Sequence, residues 1–131
     1  MKQERPSMDA WLQEAKAHAN AGKIGMYLTH CGVVRASAKA AVRQGAADTR
    51  SVVGMHFSYD AEKLEQVLAQ TRQHQGIYYV KAWLNEGELQ VGDEIMCVLI
   101  GGDIRPNVVD ALQYLVGRIK DECVEETEVY G

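Results

Sequence analysis

The charged residues of this chain fall into two blocks of opposite sign, and each block points to a different chemistry. From Arg35 to Arg50 there are four cations (Arg35, Lys39, Arg43 and Arg50) against the single anion Asp48. Such a run attracts anions, and arginine suits phosphate because its planar fork grips the oxygens with paired hydrogen bonds. From Asp121 to Glu128 there are five acids (Asp121, Glu122, Glu125, Glu126 and Glu128) and no base, the pattern of a solvated acidic tail. Arg105 stands directly before Pro106, where a helix N-terminus would add its partial positive charge to an anion site. Taken singly, Arg35 reads equally well as a strand-end ion-pair partner, and Lys120 as a cation placed to suit a helix dipole.

Histidine and cysteine occur without metal-ligand spacing. His30 and Cys31 are adjacent on a predicted strand and so point to opposite faces, His56 lies elsewhere, and neither CxxC nor HxxxH occurs. No structural metal is expected. Cys31, Cys97 and Cys123 are odd in number and widely spaced, which argues against a disulfide framework and fits a reducing compartment. Cys97 lies in an apolar run and reads as an inert buried thiol, whereas Cys123 reads as the most reactive of the three, blunted by its flanking acids. Gly101-Gly102 has neither the GxGxxG nor the Walker spacing of a phosphate loop.

The elements that must position these residues belong to one domain, since 131 residues can bury a single core. A composition 47% hydrophobic and 24% charged is that of a globular protein. A formal charge of −4 argues against general nucleic-acid binding. No apolar run approaches the roughly 18 residues of a membrane span, and the N-terminal MKQERPSMDAW carries no signal-peptide pattern. A cytoplasmic location is expected.

Ser7 is placed to cap a first helix running to about Ala21, and Ile24 to Val34 reads as a strand. Arg35 to Arg50 reads as a loop, although its alanines also permit a short helix. Ser51 to Ser58 is a second strand. Asp60 then caps a helix whose Leu64, Val67, Leu68 and Thr71 make an amphipathic stripe. Ile77 to Leu84, a short piece at Leu89 to Val91, and Glu94 to Ile100 are further strands, the last apolar enough for burial on both faces. A final helix opens at Pro106 and buries Val108, Leu112, Leu115 and Ile119. The expected fold is a single α+β domain over residues 1–131 with a largely antiparallel mixed sheet and flanking helices, an N-terminal helical segment 1–22 and an acidic tail 121–131.

The segment from Gly87 to Glu122, GELQVGDEIMCVLIGGDIRPNVVDALQYLVGRIKDE, resembles the large, catalytic subunit of molybdopterin synthase in its glycine turn, its Gly-Asp-Glu strand start and its amphipathic helix ending in lysine. Gly32-Val33-Val34-Arg35 is similar to that family's strand end, and the helix after Tyr59 and the strand Tyr78 to Trp83 fall in matching order. The resemblance spans roughly residues 24 to 120 and implies an α/β-hammerhead-like fold. It also implies sulfur transfer from the thiocarboxylated Gly-Gly tail of a small ubiquitin-like carrier to a cyclic pyranopterin phosphate. That reaction belongs to molybdenum or tungsten cofactor biosynthesis. A homodimer, a carrier subunit as partner, and no permanently bound cofactor are implied with it.

Carried over position by position, the resemblance makes Arg35 and Arg105 substrate-phosphate ligands and Arg105 and Lys120 catalytic. Lys120 would act in proton transfer or bond covalently to the carrier's terminal carbonyl. Ile104 stands where the family has histidine, and Thr127 where it has a second lysine. Losing those groups, with acids gathered nearby, implies reduced or altered turnover. The alternatives are a non-catalytic pterin-phosphate or anion-binding regulator that keeps the dimer scaffold, and a partner subunit of a larger complex.

Overall fold

The computed structural model describes residues 5–37 and 51–131. Lys39, Arg43 and Arg50 of the basic run lie outside the described residues, and Arg35 lies within them.

Helix α1 (Met8–Lys16) is capped by the Ser7 hydroxyl, which accepts a hydrogen bond from the Ala10 amide at 3.2 Å. It stops short of the Ala21 end that its sequence suggests. The Asn20 amide donates to the His18 ring at 3.2 Å, a local side-chain bond that competes with helical continuation, and a 3₁₀ turn follows at Ala21–Lys23. Then come β1 (Met26–Val33), β2 (Val52–Tyr59), α2 (Ala61–Arg72), β3 (Ile77–Leu84), β4 (Gly87–Gln90), β5 (Glu94–Gly102), α3 (Arg105–Arg118) and β6 (Val124–Tyr130). Asp60 caps α2 by accepting from the Lys63 amide at 3.1 Å, and the predicted stripe Leu64, Val67, Leu68 and Thr71 is buried.

The α+β class and the antiparallel pairing hold, and the strands divide between two three-stranded sheets, β1-β5-β3 and β4-β2-β6. The burial patterns explain the division. Every residue of β5 from Ile95 to Gly102 is buried, so it is the centre of a sheet covered on both faces. Its Met96, Val98 and Ile100 join the main core with Val108, Ala111 and Leu115 of α3. Its Cys97 and Leu99 face the other way, into a small cluster under Trp11 and Ala15 of α1. By contrast β2 alternates, with Val52, Met55 and Phe57 buried and Val53, His56 and Ser58 exposed, as befits a sheet with one wet face.

Two glycines set the packing where β5 hands over to α3. Gly76 turns the chain into β3 at a φ of 76°, a conformation that side chains disfavour. A Cβ on Gly102 would stand 2.6 Å from a Val108 methyl and 2.7 Å from the Gly76 carbonyl oxygen.

The acidic end is not a solvated tail. After α3 the chain widens into a π-helical turn, Ile119–Cys123, and returns as β6 against β2, pairing Tyr59 with Val124 and His56 with Thr127. Strand alternation leaves Glu125 and Thr127 exposed and turns Glu126 and Glu128 partly inward. Read as composition the segment is a charge run; paired with β2 it is an edge strand whose alternation sets Val124, Glu126 and Glu128 on one face and Glu125 and Thr127 on the other. Among the described residues no helix is long and apolar enough to cross a membrane.

Candidate functional site

Period-two alternation along β1 decides what its side chains can reach. Met26 and Leu28 pack against the main core on the α3 side, so His30 and Gly32 share that face. Just beyond, the ladder between β1 and β5 slips between Gly32 and Val33. Val34 then turns into the core at 2% exposure, and Arg35 is left exposed. The π-helical turn brings Lys120 to the same place from the other side, and β6 adds Glu126 and Glu128. Together they line a cavity of about 870 Å³ between the two sheets' ends and the end of α3.

Arg35 and Lys120, both singled out from sequence, therefore converge. Their electrostatic company differs from that of a plain phosphate site. The Lys120 Nζ donates to both carboxylate oxygens of Glu126, at 2.7 and 2.9 Å, with the Glu126 side chain only 13% exposed. Asp121 and Glu128 also line the space. The described walls thus set two cations, Arg35 and Lys120, against three carboxylates, Asp121, Glu126 and Glu128. Burial, and then the neighbouring Lys120 charge, hold the His30 imidazole below its ordinary value. The neutral ring, able to take or give a proton at neutral pH, is favoured.

Arg105 does not join them. It is exposed at the first turn of α3, and fifteen helical positions at about 1.5 Å each put it on the order of 20 Å from Lys120. Nor is the N-terminus of α3 open to an anion. The Asp103 carboxylate accepts from the Ile104 amide at 2.6 Å and from the Asn107 side-chain amide at 2.9 Å, so the chain's own acid sits at the helix's positive end. The anion site expected from Arg35, Arg105 and that N-terminus is not formed within one chain. Ile104, in the position where the resemblance implies histidine, is 56% exposed.

Cys123 also departs from its sequence reading. It is 4% exposed and part of the core, and its thiol is pushed up chiefly by burial, with Glu122 second, so it is shielded where a reactive cysteine was expected. Cys97 is fully buried, as expected. His56 sits on β2 with its Nδ1 3.4 Å from Glu88, on a different sheet from His30. A second groove of about 610 Å³ runs beside β3. Its cations are already engaged, Arg72 with the Val80 carbonyl at 3.0 Å and Lys81 with Glu14 at 2.7 Å. The cavity at Arg35 and Lys120 is the better candidate, because it is roomier and brings His30 together with two cations from distant parts of the sequence.

Sequence reasoning missed His30 and Glu126. The signal for His30 was present, because counting two back from it along the strand gives Leu28 and then Met26, both core residues. Glu126 had no such signal while its segment read as a tail.

The family model described as MoaE protein matches residues 2–122. Among solved structures the chain is similar to molybdopterin synthase from Staphylococcus aureus, with a TM-score of 0.73, 16% identity, and coverage of 98% of this chain and 88% of that one. The molybdopterin biosynthesis MoaE protein from Burkholderia ambifaria MC40-6 gives a TM-score of 0.70, 20% identity, and coverage of 98% and 84%. A protein-protein complex of subunits 1 and 2 of molybdopterin-converting factor from Helicobacter pylori 26695 contains a chain matching at a TM-score of 0.66, 16% identity, and coverage of 94% and 75%. No curated protein sequence matches the chain.

Proposed function

The chain belongs to the MoaE protein family, and from that premise we propose that it is the large subunit of a molybdopterin synthase, acting in molybdenum or tungsten cofactor biosynthesis in the cytoplasm. It takes sulfur from the thiocarboxylated C-terminus of a small Gly-Gly carrier and delivers it to a cyclic pyranopterin phosphate, with no cofactor of its own. The Helicobacter pylori relative was solved as a complex of two subunits, which supports a carrier partner here. The observation that carries the reading is the convergence of Arg35 and Lys120, from distant parts of the sequence, on one cavity.

Each residue's task follows from its chemistry. Arg35, two residues past the end of β1, holds the substrate phosphate. Lys120 stabilises the oxyanion that develops when the carrier's terminal carbonyl becomes tetrahedral. Glu126 fixes the ammonium's position through two charge-assisted hydrogen bonds. His30 moves protons in the same cavity, taking up the task that no histidine at Ile104 performs. Arg105 reaches a reaction centre only from a second copy of the chain, so this reading requires a homodimer whose α3 N-terminus meets the partner's cavity. Incubation with thiocarboxylated carrier and cyclic pyranopterin phosphate, followed by assay for dithiolene, is the test. Product is expected; absence of both product and carrier binding would overturn the proposal.

A second reading has one observation in its favour. The three carboxylates in the cavity wall, with Thr127 in the position where the resemblance implies lysine, suit a homologue that binds a pterin phosphate or other anion without turning it over. Titration calorimetry with pterin phosphates and with the carrier separates the two readings, because tight binding without product supports only the second.

A further inference from the structure

Cys31 and Cys97 are directly opposite each other in the β1–β5 ladder, and their sulfurs lie 3.2 Å apart, the Cys31 thiol donating to the Cys97 sulfur. Paired residues of an antiparallel ladder stand about 4.5–5.5 Å apart at Cα, inside the roughly 4.4–6.8 Å range that a disulfide bridges. One thiol is exposed and the other is fully buried. From this geometry we propose that Cys31 and Cys97 form a redox modification site, a dithiol that closes to a cross-strand disulfide when Cys31 meets a low-molecular-weight disulfide.

The reaction balances without a further reagent. The Cys31 thiolate attacks one sulfur of oxidised glutathione, forming a Cys31–glutathione mixed disulfide and expelling one glutathione thiolate. Cys97 then gives up its proton, its sulfur attacks the Cys31 sulfur, and the second glutathione leaves. The two glutathiones take the two protons that the cysteines lose, so two thiols are oxidised and one disulfide is reduced. Burial above all pushes the Cys97 thiol up to about 12. Its burial keeps outside reagents away, and the Cys31 sulfur, 3.2 Å off, lies within its reach. The bond ties β1 to β5 one residue before the ladder slips between Gly32 and Val33, stiffening the strand that presents His30 and Arg35 to the cavity. Cys123 takes no part, being in the main core on the other face of the sheet.

The test uses the full-length reduced protein and oxidised glutathione. Closure lowers the intact mass by about 2 Da with no retained glutathione. Tryptic peptides bearing Cys31 and Cys97 become linked, Cys31 loses its reactivity to iodoacetamide, and dithiothreitol reverses all three. Cys31→Ser, at an exposed position, abolishes closure, and Cys123→Ser does not. A stable glutathione adduct on Cys31, a Cys31–Cys31 dimer, a link to Cys123, or no reaction would each overturn the assignment. None of these readouts depends on sulfur transfer.

Discussion

The two ends of helix α3 differ in how they treat charge, and the contrast separates scaffold from chemistry. At its start, Asp103 is spent on the chain's own Ile104 amide and Asn107 side chain, while Ile104 and Arg105 point outward. At its finish, Lys120 enters a cavity where His30, Arg35, Glu126 and Glu128 meet from two other strands and the segment that follows β1. One end closes on itself and presents a surface. The other end gathers unlike charges around an open space, which is the arrangement that favours chemistry.

The largest expected effect of breaking this contrast is at the finish. Lys120→Met should lower dithiolene formation by about 10²–10⁴-fold, the usual cost of losing an oxyanion or proton-transfer group. Because it strands Glu126 with little exposure, the double variant Lys120→Met/Glu126→Gln serves as the control for folding. Circular dichroism and thermal midpoint should show the double variant folded and still inactive. A double variant within tenfold of the parent would remove Lys120 from the mechanism.

A smaller loss, about 10–100-fold, is expected for Arg105→Ala at the start of the helix, by analogy with the loss of one phosphate-clamping cation. Its signature is complementation. Mixing Arg105→Ala with Lys120→Met protomers should restore activity through dimers in which one cavity keeps both groups. If the mixture is no more active than its components, the two ends of α3 do not meet across copies.

Much of the fold was legible in the sequence because its signals are local. The caps Ser7 and Asp60, the α2 stripe and the unbroken apolar β5 depend on neighbours within a few residues, and each formed as the pattern implies. The division into two sheets and the docking of β6 were not legible, since pairing partners such as Tyr59 and Val124 are remote in sequence. For the site, a family pattern pointed to Arg35 and Lys120. His30, next to Cys31, raises the question of metal ligation, which hides the face it shares with Leu28. Glu126 was hidden because a charge run carries no face until it has a strand to pair with.

At the start of α3, Asp103→Ala should cost about 1 kcal/mol of folding stability, since it uncovers the Ile104 amide and removes a negative charge from the helix's positive end. Urea denaturation measures it. Sulfur transfer should fall less than in Arg105→Ala, because the Asp103 carboxylate bonds the Ile104 amide and the Asn107 side chain of its own chain. A large activity loss with unchanged stability would instead give Asp103 a chemical role of its own.

The smallest expected effect concerns pH and belongs to His30. Its folded value lies below the ordinary 6.5, first through burial and then through Lys120. For a histidine shifted this way the unfolded chain binds the proton more readily, so stability rises with pH across the window from the lowered folded value up to about 6.5. Above that window the contribution is fully present; it is lost as pH falls through the folded value. His30→Gln should flatten this part of the stability–pH curve, and Lys120→Met should move the imidazole's NMR titration upward by removing a repelling charge. The same groups set the catalytic curve: if His30 moves the proton, the acid limb of the kcat profile tracks its titration and disappears in His30→Gln. A flattened stability curve with an unaltered kcat profile would leave His30 a neighbour of the reaction and not a participant in it.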